Sequence, residues 1–423
     1  MLLRFEVENH RSILDPVELS MIAVDEDRPA TRGFDLLSER ALTVAGIYGP
    51  NASGKSNVIE ALAWLSSAVN RSLRSWGPAV PRDPFRFGRG PASPSVYDVE
   101  MVADDVRYAY HLEVNDSEVL YETLHSYPER RRRLLFEREG LEIEFRRGLG
   151  GLAGTRELLT PTTLALSAAM RANHPEIQPF GRHLSGIGMR GVSPSRMRRV
   201  TGRRAPWPAS LTEFLFIDQN SSKDESLRNE LPSSRSERDL ALALLRFADL
   251  GIDGVQLEQD EQDENNVRVR LIHKAGEQDL PFELADESAG TRMWFTLIGP
   301  MLDALRRGQI LLFDEIDASL HPKLSARLLE LFQDPMTNPR GAQLIFTTHD
   351  TSLLNYLNRD EVWLTEKGDN GATMLTALAE YGGDKVRRSL NLEKAYLQGR
   401  FGAVPELDQV ALRLALGAIA SDS

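Results

Sequence analysis

The chain has no cysteine. Disulfide frameworks, thiolate zinc sites and cysteine nucleophiles are therefore excluded, and the composition fits a reducing cytoplasm. No apolar run is long enough to cross a bilayer, so no membrane span is expected. The opening MLLRFEVENHRS puts Arg4 and Glu6 within the first six residues and has no signal-peptide core. Repeats, sustained heptads and low-complexity segments are also missing, which argues against a long coiled-coil arm. A cationic excess is missing as well. The net charge is -12, so a general nucleic-acid coat is disfavoured, although local basic patches can still meet a phosphate backbone.

What is present suits a folded protein of roughly two or three domains: 423 residues, 41% hydrophobic and 26% charged. LLRFEVEN and VELSMIAV alternate as strands, and ALTVAGIY reads as a buried strand. KSNVIEALAWLSSAVNRSL has helical spacing. Residues 76–94, rich in proline, glycine and arginine, read as an exposed connection. Residues 95–129 show period-two alternation broken by ADD and NDS, the pattern of an antiparallel meander. From about residue 158 to 231 the pattern turns to helical segments, loops and basic clusters, read as an inserted or lid-like region. ERDLALALLRFADLG is a helix with a stop at Gly251. EQDEQDEN reads as a solvated turn in preference to a metal site. After Gly290 helices and strands alternate through MWFTLIGPMLDALRR, QILLFDEID, KLSARLLELFQD, AQLIFTTHD, TSLLNYL and EVWLTEK, the rhythm of a parallel α/β sheet.

Four stretches carry chemistry. GIYGPNASGKSN follows a strand and opens a helix, the setting a phosphate loop requires. Its glycines let backbone N–H groups approach phosphate oxygens, Lys55 reaches the β- and γ-phosphates, and the Ser56 hydroxyl is a Mg²⁺ ligand. ILLFDEID places Asp314 at the C-terminal end of an apolar strand, where α/β sheets bind ligands. Asp314 is the second expected Mg²⁺ ligand and Glu315 the group that polarises water. AQLIFTTHD brings His349 to the same edge, read as a γ-phosphate contact, although a lone histidine is commonly structural. In ESAGTR, Ser288 and Gly290 open a helix and could receive an anion, and the stretch reads equally as an ordinary cap.

Together these motifs resemble the ABC-type ATPases, and among them the SMC/RecF/OLD branch. GPNASGKSN resembles that branch's Walker A, including Asn51, Ala52, Ser53, Gly54, Lys55, Ser56 and Asn57. ESAGTR resembles its signature, LLFDEIDASLHP its Walker B and D-loop with Asp317 and His321, and THD its switch histidine. FEVENHRS is similar to the opening strand, which implies Arg11 near the nucleotide. The C-terminal NLEKAYLQGRFGAVPEL resembles the abortive-infection and restriction-locus ATPases, such as the ATPase subunit of the PARIS anti-phage system. No glutamine is assigned to the Q-loop, and no Toprim constellation follows THD.

The resemblance implies an α/β fold: an ABC-ATPase-like P-loop head with an antiparallel β meander and an inserted helical region. It divides the chain into residues 1–157, 158–231, 232–400 and a helical tail, 401–423. It implies ATP and Mg²⁺ as cofactors, with Glu315 and His349 catalytic. The nucleotide would be held between two copies, the Ser288 and Gly290 of one capping the phosphate bound by the other. A homodimer or higher even oligomer follows, together with a separate Toprim-like or toxin effector and a sensor or switch role in phage defence. A RecF-like DNA-repair clamp is the alternative, in which the basic runs at 130–133 and 196–204 would serve nucleic acid; otherwise those runs are solvated. A non-hydrolysing scaffold is opposed by Glu315, and a transporter subunit by the meander and insertion.

Overall fold

The computed structural model describes residues 1–190, 210–216 and 235–403, apart from residues 27, 35–36, 147–148, 250, 261–262, 277, 319 and 382–390. The basic run 196–204, much of the expected 158–231 insertion and all but the first three residues of the expected tail lie outside the described residues.

The N-terminal half contains β1 (Leu2–Glu8), β2 (Val17–Ser20), β3 (Thr31–Gly33), β4 (Arg40–Leu42), β5 (Val44–Tyr48) and the helix α1 (Lys55–Ser75). After these come β6 (Ser95–Ala103), β7 (Val106–Val114), β8 (Val119–Tyr127), β9 (Arg133–Glu139) and β10 (Glu142–Phe145). Phe5, Val7, Leu19, Tyr97, Val99, Tyr110 and Leu112 alternate with polar neighbours and are buried, as a sheet with one covered face demands. The result is a seven-stranded sheet in the order β10-β9-β8-β7-β6-β1-β2, antiparallel throughout. The expected meander is therefore present and runs two strands further. The basic run 130–133 sits exposed where β8 turns into β9.

The remainder comprises α2 (Ala165–Ala169), α3 (Gln178–Ser185), β11 (Gly188–Arg190), α4 (Ser210–Phe214), α5 (Arg235–Ala248), β12 (Ile252–Asp260), β13 (Asp263–Ala275) and β14 (Gln278–Glu283). They are followed by α6 (Ala289–Arg307), β15 (Ile310–Phe313), α7 (Pro322–Gln333), β16 (Gln343–Thr347), β17 (Val362–Lys367), β18 (Thr373–Ala377) and α8 (Leu392–Leu397). A second sheet runs β11-β15-β16-β5-β17-β18, parallel except for the β17–β18 pair. The parallel strands β5, β15 and β16 are buried at every position, as strands covered on both faces must be. The Gln343 side chain joins the two sheets. Its Oε1 accepts from Leu2 N at 2.5 Å, and its Nε2 donates to the carbonyls of Leu2 and Leu42 at 2.9 Å.

Three local expectations are corrected. Residues 76–94 are not simply exposed: Val80 and Phe85 are buried, and Asn9, itself buried, donates to the carbonyls of Gly90, Ser93 and Pro94. EQDEQDEN lies mostly in the paired ends of β12 and β13, because strand pairing extends a hairpin as far as its turn permits. TSLLNYL is a 3₁₀ segment, Thr351–Tyr356, opened by an Asp350 cap on Ser352 N; short connectors favour this tighter helix. Residues 164–187 pack in the same core as α1, and the chain then supplies β11 to the sheet beside β15.

What fixes α2 on this core is a buried carboxylate. Glu122 accepts from Ala165 N at 2.6 Å, Leu166 N at 2.8 Å and Tyr110 Oη at 2.9 Å. Its counter-ion Arg138 is also fully buried, with Nη1 3.7 Å from Glu122 Oε2, and it donates to the carbonyls of Gly140, Thr160 and Thr163. Removing the acid strands a buried guanidinium and the first N–H groups of a helix. Glu122→Ala is expected to lower stability by about 3–5 kcal/mol, read as a shift of the urea midpoint. A loss below about 1 kcal/mol, the scale of a surface pair, would show that this pair does not hold α2.

Candidate functional site

The site starts where β5 ends. Gly49 has φ 150° and Gly54 φ 104°. A Cβ on Gly49 would run into Thr365, and one on Gly54 into Thr373. Only glycine meets both the dihedral and the space requirement. Ala52 between them is also left-handed, at φ 64°. Ser53 Oγ donates to Pro50 O at 2.9 Å and lies 2.6 Å from Thr365 Oγ1, while Thr373 Oγ1 donates to Ser53 O at 2.8 Å. The loop is thus fastened to β17 and β18, neither of which the motif itself announces. Asn57 Nδ2 donates to Ser12 Oγ at 2.5 Å, and Ser12 in turn meets Thr373 Oγ1 at 2.7 Å.

Helix α1 opens on Gly54 with no acidic residue in its first turn, so its N-terminal donors and dipole favour an anion. Lys55 folds back over the loop. Its Nζ donates to Gly49 O at 2.9 Å and Pro50 O at 3.1 Å. Burial pushes its pKa down to about 8, against the upward pull of Glu315, Asp317 and Asp314. Asn51 and Ala52 are exposed, and Ser56 is half-buried.

Three carboxylates and a histidine occupy the same sheet edge, because β15 and β16 run parallel to β5 and end beside it. Asp314 is buried and accepts from Thr347 Oγ1 at 2.7 Å. The same hydroxyl accepts from Glu315 N at 2.8 Å. Glu315 is exposed and left-handed, φ 54°, a strained geometry typical of functional turns. Asp317 accepts from Thr348 Oγ1 at 2.7 Å and from His349 N at 3.2 Å, so here it shapes the turn that carries the histidine. Desolvation and then the Lys55 charge lower the His349 pKa, which keeps the ring neutral at pH 7. β11 ends at this edge too, Arg190 beside Phe313.

The other expected residues lie elsewhere in the hydrogen-bond network. Ser288 caps α6, its Oγ accepting from Thr291 N at 3.1 Å, and Gly290 lies in the first turn. Their bonds stay within this exposed helix start. Arg11 pairs with Glu60 on α1, and its Nε is 3.5 Å from Asp83 Oδ2. His321 caps α7. The C-terminal α8 was not foreseen as part of the site, yet Glu393 accepts from Asn355 Nδ2 at 2.7 Å, in the segment just after His349, and the Tyr396 ring meets Tyr48. Ser12, Thr365 and Thr373 were missed because an isolated Ser or Thr has no signal in one sequence.

Lys55 generates a prediction. Free Lys55 loses its proton near pH 8, and bound phosphates favour the charged form. ATP affinity should be level below about pH 8 and fall above it, by up to about tenfold per pH unit. Binding at about pH 9 should take up a proton, which calorimetry in buffers of differing ionisation heat will read. Affinity unchanged across this range would remove Lys55 from the phosphate contacts.

A family described as "AAA domain, putative AbiEii toxin, Type IV TA system" matches residues 44–355. No curated protein matches the chain. Among solved structures, an SMC head bound to the C-winged helix domain of ScpA is 14% identical, with TM-score 0.48 over 90% of this chain and 99% of that one. The SMC head domain from Thermotoga maritima is 15% identical, with TM-score 0.38 over 89% and 98%. A Smc head with an extended coiled coil, bound to the C-terminal domain of ScpA derived from Pyrococcus furiosus, is 14% identical, with TM-score 0.42 over 90% and 97%. The family match begins at β5 and ends just past His349, spanning well over half the chain, and the chain therefore belongs to this AAA family of ATPases.

Proposed function

We propose that the protein binds and hydrolyses ATP at sites shared by two copies, and that this cycle is the switch of an abortive-infection defence whose damage is done by a separate effector. One observation carries the reading: Lys55, Asp314, Glu315 and His349 converge on one sheet edge, while Ser288, exposed, and Gly290 lie at the start of another helix. A second copy supplies what each site lacks.

The donor set fits Mg²⁺. Ser56 and Asp314 offer hard oxygens, and Asp314 Oδ1 is already oriented by Thr347. Bound there, the ion would neutralise phosphate charge. Lys55 leaves the loop carbonyls for the phosphates. Glu315, exposed, accepts the proton of the attacking water. His349, neutral, holds a phosphate oxygen through a ring N–H, and Asp317 fixes the turn that aims it. In this reading Asn51, Ser53 and Asn57 shape the cradle and Arg11 acts indirectly through Glu60. The family's description, "AAA domain, putative AbiEii toxin, Type IV TA system", supports a defence role.

Glu315→Gln retains size and removes the base. Turnover should fall by about 10²-fold or more, ATP should still bind, and a closed species should accumulate. Ser288→Arg should bind ATP without closing. Light scattering with Mg²⁺-ATP should therefore show a nucleotide-dependent increase in mass for Glu315→Gln and none for Ser288→Arg. Equal responses from the two variants would refute nucleotide-gated closure. Undiminished turnover by Glu315→Gln would remove Glu315 as the base.

A further inference from the structure

The turn that carries His349 is gripped from two sides. On the near side Asp317 accepts from Thr348 Oγ1 and from His349 N. Directly after the histidine, Asp350 accepts from Ser352 N at 2.9 Å and opens the 3₁₀ segment Thr351–Tyr356. The far grip comes from outside the nucleotide motifs. Glu393, in the first turn of α8, accepts from Asn355 Nδ2 at 2.7 Å and from Thr351 Oγ1 at 3.4 Å. Both partners belong to the 3₁₀ segment.

Helix α8 has only six residues and would be marginal alone. Its surroundings hold it. Asn391 caps it, accepting from Lys394 N at 2.7 Å. Ala395 and Tyr396 are buried. Tyr396 Oη donates to Ala403 O at 2.7 Å, and Ala403 N donates to Glu366 Oε1 at 2.8 Å. The chain past the helix is thereby tied to β17, the strand whose Thr365 meets Ser53 in the phosphate loop.

Residues three apart on a helix are neighbours on one side of it, so Glu393 and Tyr396 work together. The Tyr396 ring meets Tyr48 edge-on, with centroids 6.1 Å apart, and Tyr48 is the residue before Gly49. One helical turn therefore bridges the base of the phosphate loop and the segment behind the histidine. Tyr48 Oη and Asp350 Oδ2 are both buried and have no hydrogen-bond partner among the described residues. Unpaired buried polar atoms are costly and persist where neighbouring structure holds them in place. Helix α8 touches Tyr48 and the residue after Asp350.

We infer that α8 is a brace for the nucleotide site and that Glu393 is a positioning residue for His349. Through Thr351 and Asn355 it holds the turn, so that the ring meets the phosphate carried by the loop, and it does not itself touch the nucleotide. The inference rests on the ATPase reading and extends it, giving the C-terminal segment a part in turnover.

The test compares Glu393→Ala, which removes both contacts, with Glu393→Gln, which keeps an oxygen that can accept from Asn355 Nδ2. Turnover and ATP affinity are measured separately on the full chain, and circular dichroism verifies the fold. Glu393→Ala should lower kcat about fivefold or more while ATP affinity stays within about twofold. Glu393→Gln should restore most of the loss. An unchanged kcat in Glu393→Ala overturns the proposal. So does a loss of affinity as large as the loss of kcat, because the effect would then lie in the loop. Hydrogen exchange at the amides of residues 348–352 gives a readout that needs no turnover. It should be faster in Glu393→Ala than in the unaltered chain or Glu393→Gln. If the unaltered chain hydrolyses no ATP, the ATPase reading fails, and exchange still decides the brace: faster exchange supports it, and unchanged exchange overturns it.

Discussion

The close approach of the β5–α1 loop to two threonines is the constraint on which the rest depends. Gly49 and Gly54 have no room for a Cβ because Thr365 and Thr373 stand against them. Those threonines bring β17 and β18 under the loop, and Ser12 brings in the turn between β1 and β2. Both large sheets are thus fastened to the one β5–α1 turn, and Gln343 fastens them to each other a second time. A loop held this way is preorganised, so ordering it costs little at the moment of binding.

The second theme is charge held in reserve. Lys55 rests on two carbonyls, with three carboxylates pulling its pKa up and burial pushing it down. Phosphates offer it a stronger partner than the loop does. Thr347 serves Asp314 and Glu315 with one hydroxyl, donating to the first and accepting from the second's backbone. That shared contact sets the two acids apart: Asp314 is buried and fixed, while Glu315 is exposed on a left-handed turn. Asp317 completes the edge by holding the turn of His349. This gives the aspartate a role inside its own copy, alongside any contact across a dimer.

Much of this was legible in the residues. GPNASGKSN, FDEID and THD were readable because glycine, lysine and paired acids at strand ends are rare enough in combination to have one main physical use. Period-two alternation marked β1, β6, β7 and β8. It did not mark β9 and β10, where RRRR and the glutamates obscure the pattern. The short β11 has only three residues to signal with. The anchoring of residues 76–94 was hidden because it depends on Asn9, one buried amide some eighty residues away.

The sequence by itself determined the phosphate loop, the acidic strand end and the parallel α/β rhythm, since these follow from local stereochemistry and from which residues can sit in a strand buried on both faces. Only the tertiary structure decided which strands are neighbours: β5 lies between β16 and β17 although some three hundred residues separate them in the chain. Long-range pairing is chosen by the summed burial of whole faces, which no single stretch encodes. It is that pairing that places Lys55 among Asp314, Glu315 and Asp317 and leaves Ser288 outside their bonds.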